Sequence, residues 1–232
     1  MNRYSDFSIK RDKDGKLNTS YNWWFDINDS LAFEIFDINN IYKPQYYITA
    51  EEPSGNVTKT LEKLFLHLHN IKTIINYGSG GGWFTRQLMD LGYDVTDIEG
   101  HNSGIERSIK DFNIPKEKII QHDLRENLNL NQKFDLGICT ELAEHIECPF
   151  SSILIQNIIR HTNLVYFTAC EPRKQAHIHH CNEQPYKFWT NLFQFYKWYP
   201  YIRLCDPNIT RGNGIIFYSG EEDKEAMNKI KN

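Results

Sequence analysis

The sequence predicts an α/β protein built on a doubly wound, mostly parallel sheet. Three observations support this prediction. Apolar runs with the length of buried strands alternate with stretches of helical periodicity. A glycine-rich segment, IINYGSGGGWF, begins with the first of these runs. Acidic residues end the next runs, and the carboxyl ends of parallel strands lie together at one edge of a sheet. Alternation of this kind folds with right-handed crossovers.

The predicted elements follow one another in a regular order. Strands and helices alternate after a first helix, and a final pair of strands precedes a frayed helix in residues 221–232. The predicted helices cover residues 57–69, 83–91, 103–112, 151–161 and 186–198. The predicted strands cover residues 74–77, 93–100, 119–124, 163–170, 201–204 and 214–219, and another begins at residue 134.

The glycine-rich segment is the strongest local signal. Gly78, Gly80 and Gly82 stand at alternate positions, where they let the chain turn sharply and let its backbone approach a ligand. A loop of this kind, taken alone, is more often only a turn. The following helix would direct its N-terminal amides and the positive end of its dipole towards an anionic group such as a carboxylate.

Two acids follow the loop at strand ends. Glu99 ends the second strand about 20 residues after the glycines, where an acid can accept two hydrogen bonds from a ribose diol. A solvated loop carboxylate is the alternative interpretation of this residue. Asp123 ends the third strand, from which its side chain could meet the exocyclic amine of an adenine.

These motifs together resemble the class I S-adenosylmethionine-dependent methyltransferases, over roughly residues 71–220. INYGSGGG is similar to the glycine motif of that family, VTDIEG to its ribose-binding segment, HDL to its adenine-binding segment and FDLGICTELAEHI to the strand below the methyl group. The resemblance implies a seven-stranded Rossmann-like sheet whose last strand is antiparallel, and S-adenosylmethionine as the cofactor. It implies cofactor contacts from Asn76, Gly78, Gly80, Gly82, Glu99, Asp123, Leu124 and Thr140.

One position departs from the family pattern. Methyltransferases commonly carry Asp or Glu where this chain has Asn76. An amide can hydrogen-bond, but it brings no charge to the ammonium group of the cofactor. This feature favours a further alternative, a non-catalytic methyltransferase-fold module that binds the cofactor or serves as a partner subunit.

The segment TELAEHI carries the candidate chemistry. Glu141, Glu144 and His145 have the spacing i, i+3 and i+4, so they share one face if the segment is helical. Two carboxylates and an imidazole would form half a shell for Mg²⁺ or another divalent ion. The later segment AHIHHCNEQP contains His177, His179 and His180, any of which could complete that shell or act as a general base.

The ExxEH pattern has parallels in the same superfamily. It resembles the metal-binding ExxEH of ubiquinone-pathway O-methyltransferases. It also resembles small-RNA 3′-terminal ribose methyltransferases, in which a later histidine joins the metal, and His180 matches that position. HxNxQP with aromatic residues resembles small-molecule and sugar methyltransferases of surface-glycan clusters. The metal-free alternative leaves the segment as scaffold, with His145 or His180 as the general base that deprotonates an alcohol.

The composition restricts the chemical class of the methyl acceptor. The chain has 232 residues, a net charge of −4 and a pI of about 6.1. No cluster of Lys and Arg stands out, which disfavours nucleic acid as a partner. The predicted function is therefore O-methylation of a small polar acceptor, such as a sugar or a surface-glycan intermediate. Methylation of the 2′-oxygen at the 3′-terminal ribose of an RNA is the alternative enzymatic interpretation.

The predicted organisation is an aromatic-rich extension or cap in residues 1–52, followed by a methyltransferase domain in residues 53–232. The sequence shows no signal peptide and no apolar run of the ~20 residues that a membrane span needs, so a soluble cytoplasmic protein is expected. The oligomeric state stays open. The cysteines contain no CxxC pair and are expected to be free thiols: Cys139, Cys148, Cys170, Cys181 and Cys205.

Overall fold

The computed structural model describes residues 42, 44–49, 57–172, 180–204 and 214–230. The strands are β1 Thr73–Tyr77, β2 Asp94–Glu99, β3 Ile119–Gln121, β4 Leu136–Cys139, β5 Leu164–Phe167, β6 Trp198–Leu204 and β7 Gly214–Ser219. The helices are α1 Pro44–Thr49, α2 Val57–Leu66, α3 Trp83–Asp90, α4 Asn102–Phe112, α5 Ser151–Arg160, α6 Tyr186–Phe195 and α7 Lys224–Asn228. The predictions for most of residues 1–52, for His177 and His179, and for Cys205 lie outside the described residues.

The strands form one seven-stranded sheet in the order β3-β2-β1-β4-β5-β7-β6. The first five strands pair in parallel, and β7 runs antiparallel between β5 and β6. This confirms the predicted doubly wound, mostly parallel sheet with an antiparallel last strand. The chain order reverses direction across the sheet beside β1 and β4, which is where open α/β sheets bind their ligands.

Helices cover both faces of the sheet because the strands are apolar on both sides. In β1, Ile74 packs into one core cluster, while Ile75 and Tyr77 pack into the other. The cluster that contains Ile74 lies under α2 and α3, which contribute Leu61 and Leu88 to it. The second cluster lies under α5 and α6. Four described cysteines are buried and carry free thiols, as predicted: Cys139, Cys148, Cys170 and Cys181.

The helices of the described ranges are all too short or too polar to cross a bilayer. Most element boundaries agree with the predicted ones to within three residues. The elements α2, β3, β5 and α6 each end three residues before the predicted end, and Trp198, predicted to end a helix, begins β6 instead. After β3 the Asp123 side chain accepts from the N–H of Arg125, and after β4 the N–H of Glu141 donates to Thr168 Oγ1, so neither segment continues the ladder.

A buried amide holds the loop that leaves β3. Asn157 of α5 is fully buried. Its Nδ2 donates to the carbonyls of Leu124 and Glu126 at 3.1 and 2.7 Å, and its Oδ1 accepts from the backbone N–H of Leu128 at 2.9 Å. The loop therefore takes its course from a side chain on a helix rather than from its own sequence.

We expect Asn157→Ala to lower the free energy of unfolding by about 2–4 kcal/mol, because it leaves buried backbone groups without partners. Urea denaturation of purified protein measures the change. Gln156→Ala is the matched control, since Gln156 is partly buried and, among the described residues, its side chain bonds to Ser152 of its own helix. Equal losses in the two variants would contradict the role assigned to Asn157.

Candidate functional site

The glycine loop leaves β1 and turns back over the end of β2. The N–H groups of Gly78 and Ser79 both donate to the carbonyl of Ile98, at 2.8 and 3.2 Å. Gly78 has φ 68°, and an added Cβ would lie 2.7 Å from a methyl of Leu142. Gly82 has φ 86°, and its Cβ would lie 2.6 Å from Ser108 Oγ. Glycine is required at both positions by conformation and by space.

Glu99 lies beside this loop, as the sequence predicts. Its carboxylate is buried and accepts from the N–H of Gly80 at 2.8 Å and from the N–H of His101 at 2.9 Å. Burial raises its pKa to about 7, although these hydrogen bonds favour the ionised form. A carboxylate has about four acceptor sites, so two remain for hydroxyl donors such as those of a ribose.

A tyrosine from the N-terminal extension approaches the same carboxylate. The Tyr47 hydroxyl donates to Glu99 Oε1 at 3.5 Å, and its ring stacks on His101 with centroids 6.4 Å apart. Only 4% of Tyr47 is exposed. The phenol therefore provides a hydroxyl donor at the place predicted for a ribose.

Two further tyrosines continue this aromatic cover towards the ExxEH segment. The rings of Tyr42 and Tyr46 lie 6.1 and 6.4 Å from the ring of His145, both in edge-on arrangements. Tyr46 also meets Tyr47 edge-on at 5.5 Å. The aromatic density of the extension indicated packing, but no spacing in the sequence indicated which tyrosines would reach the site.

The predicted adenine segment is held by an ion pair that no motif in the sequence predicted. Arg125 donates to both oxygens of Asp123, at 2.7 Å from Nη2 and 3.0 Å from Nε, and also to Glu147 at 3.1 Å. Burial opposes the charge of Asp123, but Arg125 outweighs it and lowers the pKa of this carboxyl. The Leu124 side chain belongs to the core. Asp123 thus keeps its charge, and Arg125 fixes its orientation.

The ExxEH segment is not an α-helix. Residues 143–145 form a single 3-10 turn, and Glu141 before it has φ 50°. Thr168, beyond β5, holds Glu141 in this conformation: its hydroxyl accepts from the N–H of Glu141 and donates to Glu141 Oε1, both at 2.9 Å. The expected common face is therefore absent, and Glu141 is directed at Thr168. Thr140, where β4 has just ended, is partly exposed at the same edge.

Two of the predicted metal ligands, Glu144 and His180, instead converge with Cys170. Ligand atoms of Glu144, Cys170 and His180 all lie within 4.8 Å of one another, and all three residues are buried. The backbone explains why they meet, since the N–H groups of Cys181 and Asn182 both donate to the carbonyl of Glu144, at 2.9 and 3.0 Å. Cys170 was expected to be a buried strand residue. It lies after the end of β5, and no spacing in the sequence links it to the other two.

The two predicted histidines are neighbours. The rings of His145 and His180 meet edge-on with centroids 4.8 Å apart. His180 is buried, and its Nδ1 lies 2.7 Å from Glu183 Oε1, whereas His145 is partly exposed. The structure thus brings together His145, His180 and Glu144 from the predicted set.

Asn76 lies below the glycine loop, fully enclosed by protein. Its Nδ2 donates to Thr85 Oγ1 at 3.0 Å, and the Thr85 hydroxyl donates to Asp97 Oδ1 at 2.5 Å. Asn76 and Asp97 are directly paired across β1 and β2. The sequence motif pointed to Glu99 in β2 and not to Asp97, although both acids belong to the same short strand.

Comparison with known proteins agrees with this geometry. Residues 75–162 match the family described as a methyltransferase domain. The chain is 30% identical over 146 residues to the ubiquinone biosynthesis O-methyltransferase of Rickettsia canadensis, covering 61% of this chain and 54% of the relative. The Rickettsia typhi protein of the same name gives 30% identity over 146 residues, 61% of this chain and 52% of the relative. The chain spans about half the length of these relatives.

Solved structures share the fold. The glycopeptide N-methyltransferase MtfA, in complex with S-adenosylmethionine, has a TM-score of 0.53 at 14% identity and covers 69% of this chain and 85% of its own. The small RNA methyltransferase HEN1 has a TM-score of 0.56 at 15% identity, covering 72% of this chain and 25% of its own. Residues 75–162 therefore match a methyltransferase domain in sequence, and the solved structures show the same fold. Within these residues the glycine loop and Glu99, the acid that ends β2, face one another.

We expect Glu99→Ala to weaken binding of S-adenosylmethionine by about 2–4 kcal/mol, because two hydrogen bonds to a charged acceptor are lost. Isothermal titration calorimetry with the cofactor and with S-adenosylhomocysteine measures the change. Glu117→Ala is the control, since Glu117 is an exposed acid in the turn before β3. Unchanged affinity in Glu99→Ala would show that Glu99 is not the ribose acid.

Proposed function

We propose that this chain transfers the methyl group of S-adenosylmethionine to a hydroxyl oxygen of a small polar acceptor. The observation that carries the proposal is the position of His145. This partly exposed imidazole lies at the carboxyl edge of the sheet, between the aromatic cover of Tyr42 and Tyr46 and the buried His180. The names of the Rickettsia relatives, which are O-methyltransferases, support oxygen as the acceptor atom.

The protein contributes alignment and proton removal. Methyl transfer from a sulfonium needs an in-line approach of the acceptor oxygen at near-attack distance. In this proposal the aromatic residues beside His145 align the acceptor. An alcohol must also lose its proton, and a neutral imidazole suits that task near neutral pH. In this proposal His145 takes the proton. Glu183 holds the ring of His180 through its Nδ1, and His145 packs edge-on against that ring.

The cover is proposed to be the described end of the N-terminal extension. Tyr42, Tyr46 and Tyr47 lie over the path from Glu99 to His145. Residues 1–52 would then act as a cap on the domain formed by residues 53–232. A donor ribose and the Tyr47 hydroxyl would compete for the same carboxylate, so the cap must shift when the cofactor enters.

The acceptor class we propose is sugar-like, in keeping with the net charge of −4 and the aromatic walls, on which sugar rings and planar rings both pack. Ubiquinone biosynthesis in the relatives' names favours a ring hydroxyl as the competing acceptor. A screen with labelled S-adenosylmethionine should therefore compare nucleotide sugars, free glycans, catechols and an RNA 3′ end. Product formed only on the RNA, or on none of these, would overturn the proposal.

We expect His145→Gln to lower turnover by ~10²–10⁴, because a general base is lost, with little change in cofactor affinity. Turnover on the acceptor found in the screen and calorimetry with S-adenosylhomocysteine measure the two effects. His67→Gln is the matched control, because His67 is a partly buried histidine just after the end of α2. Parental turnover in His145→Gln would assign the base to another group, with His180 the next to test.

We further propose that Glu144, Cys170 and His180 hold a divalent ion beside His145. The sequence predicted Mg²⁺ on Glu141, Glu144, His145 and His180. A carboxylate, a thiol and an imidazole within 4.8 Å of one another suit zinc or another borderline ion better than Mg²⁺, which prefers oxygen ligands. Such an ion, when bound, lowers the pKa of a coordinated hydroxyl.

We expect elemental analysis of protein purified without chelator to find about one equivalent of a transition metal, and much less in Cys170→Ser, since a hydroxyl is a poorer ligand for such an ion. Cys148→Ser is the control, because Cys148 is a buried thiol outside the group. Turnover that persists in excess chelator would show that the reaction does not need the ion. Equal metal contents in the two variants would exclude Cys170 as a ligand.

A further inference from the structure

The cluster below the glycine loop contains a carboxylate with no counter-charge in it. Asp97 is fully buried in the middle of β2. Its Oδ1 accepts from the Thr85 hydroxyl at 2.5 Å, while Oδ2 has no hydrogen-bond partner among the described residues. Buried carboxylates cost several kcal/mol unless they are paired, protonated or facing a cation, so a fold that keeps one needs a compensating group.

The surroundings of Asp97 direct its charge towards the loop. Ser79, inside the glycine loop, lies close enough for its hydroxyl to favour the ionised form of Asp97. Its Oγ is also buried and has no hydrogen-bond partner in the described part of the chain. Asn76 on β1 and Thr85 on α3 close the remaining sides with neutral groups. The charge of this cluster therefore belongs to Asp97 alone, directly beneath the loop that receives the methyl donor.

The protonation behaviour agrees with this arrangement. Burial, together with the nearby charge of Glu99, raises the pKa of Asp97 to about 7. A carboxyl in this state ionises readily when a cation arrives, because the cation offsets the desolvation cost. The methyl donor carries such a cation in the ammonium group of its amino-acid end.

We infer that Asp97 is a positioning residue for the methyl donor: its buried carboxylate, oriented by Thr85, supplies the negative charge that holds the cationic amino-acid end of the donor against the glycine loop. Asn76, which pairs with Asp97 from β1, carries an amide and no charge. The acidic side chain of this pair is therefore the one on β2. The inference rests on the cofactor part of the proposed function and is independent of the acceptor.

The sheet register offers a direct test by exchanging the two side chains. Asp97→Asn removes the charge, yet the new amide oxygen can still accept from the Thr85 hydroxyl. Asn76→Asp combined with Asp97→Asn moves the charge across to β1, because the two residues are paired in the ladder. The Thr85 hydroxyl then donates to position 76 and accepts from position 97, so the exchange reverses both hydrogen bonds without removing either.

Two ligands separate a charge effect from a structural one. S-adenosylhomocysteine has the ammonium and carboxylate of the amino-acid end, whereas 5′-methylthioadenosine has the same adenosine and a thioether but lacks that end. We expect Asp97→Asn to weaken S-adenosylhomocysteine by about tenfold in calorimetry and to leave 5′-methylthioadenosine within about twofold. The exchanged double variant should recover most of the lost affinity.

Every other outcome contradicts a specific part of the inference about Asp97. Equal weakening of both ligands would make Asp97 a structural residue, and unchanged binding of both would remove its role. A double variant that binds S-adenosylhomocysteine as weakly as Asp97→Asn does would show that the charge does not determine the affinity. Thr85→Val decides the matter if Asp97→Asn does not fold, since loss of the orienting hydroxyl should also weaken only S-adenosylhomocysteine. A parent protein that binds neither ligand would overturn the proposed function itself.

Discussion

The carboxylate of Glu99 accepts hydrogen bonds from two backbone segments that meet only in the folded chain. Gly80 donates from the loop after β1, and His101 donates from the residue that caps α4. The loop can stay close to β2 because Gly78 and Gly82 adopt positive φ and leave room for Leu142 and Ser108. This one acid therefore fixes the loop, the start of a helix and the site predicted for the ribose.

Buried carboxyl groups are the second feature of the site. The pKa values of Asp97 and Glu99 are both raised to about 7, and burial is the largest cause in each case. Glu99 lies two residues from Asp97 on one strand, and its charge opposes the ionisation of Asp97, a cost that a cationic ligand would offset. Asp123 differs because Arg125 pairs with it and lowers its pKa. The site thus has one preformed charge and two that a cationic ligand would stabilise.

The part of the site that follows β4 depends on backbone contacts. The carbonyl of Glu144 accepts from the N–H groups of Cys181 and Asn182, which joins the turn after β4 to the segment before α6. Asn182 adds a side-chain bond to Ser151 Oγ at 2.9 Å, at the start of α5. These contacts bring His180 beside Glu144 and His145. Aromatic residues of the N-terminal extension then cover the side that faces His145.

The sequence by itself determined the sheet, its parallel core, the glycine loop and the position of Glu99, because these follow from local apolar runs, from glycine conformation and from the rule that parallel strands end at one edge. It did not determine what Glu141 would do, because a single hydroxyl on Thr168, beyond the next strand, turns that residue away from its neighbours. Only the tertiary structure placed Cys170 with Glu144, Tyr47 on Glu99, and Asp97 opposite Asn76. Contacts of this kind join residues that are far apart in the chain, so no local spacing or periodicity predicts them.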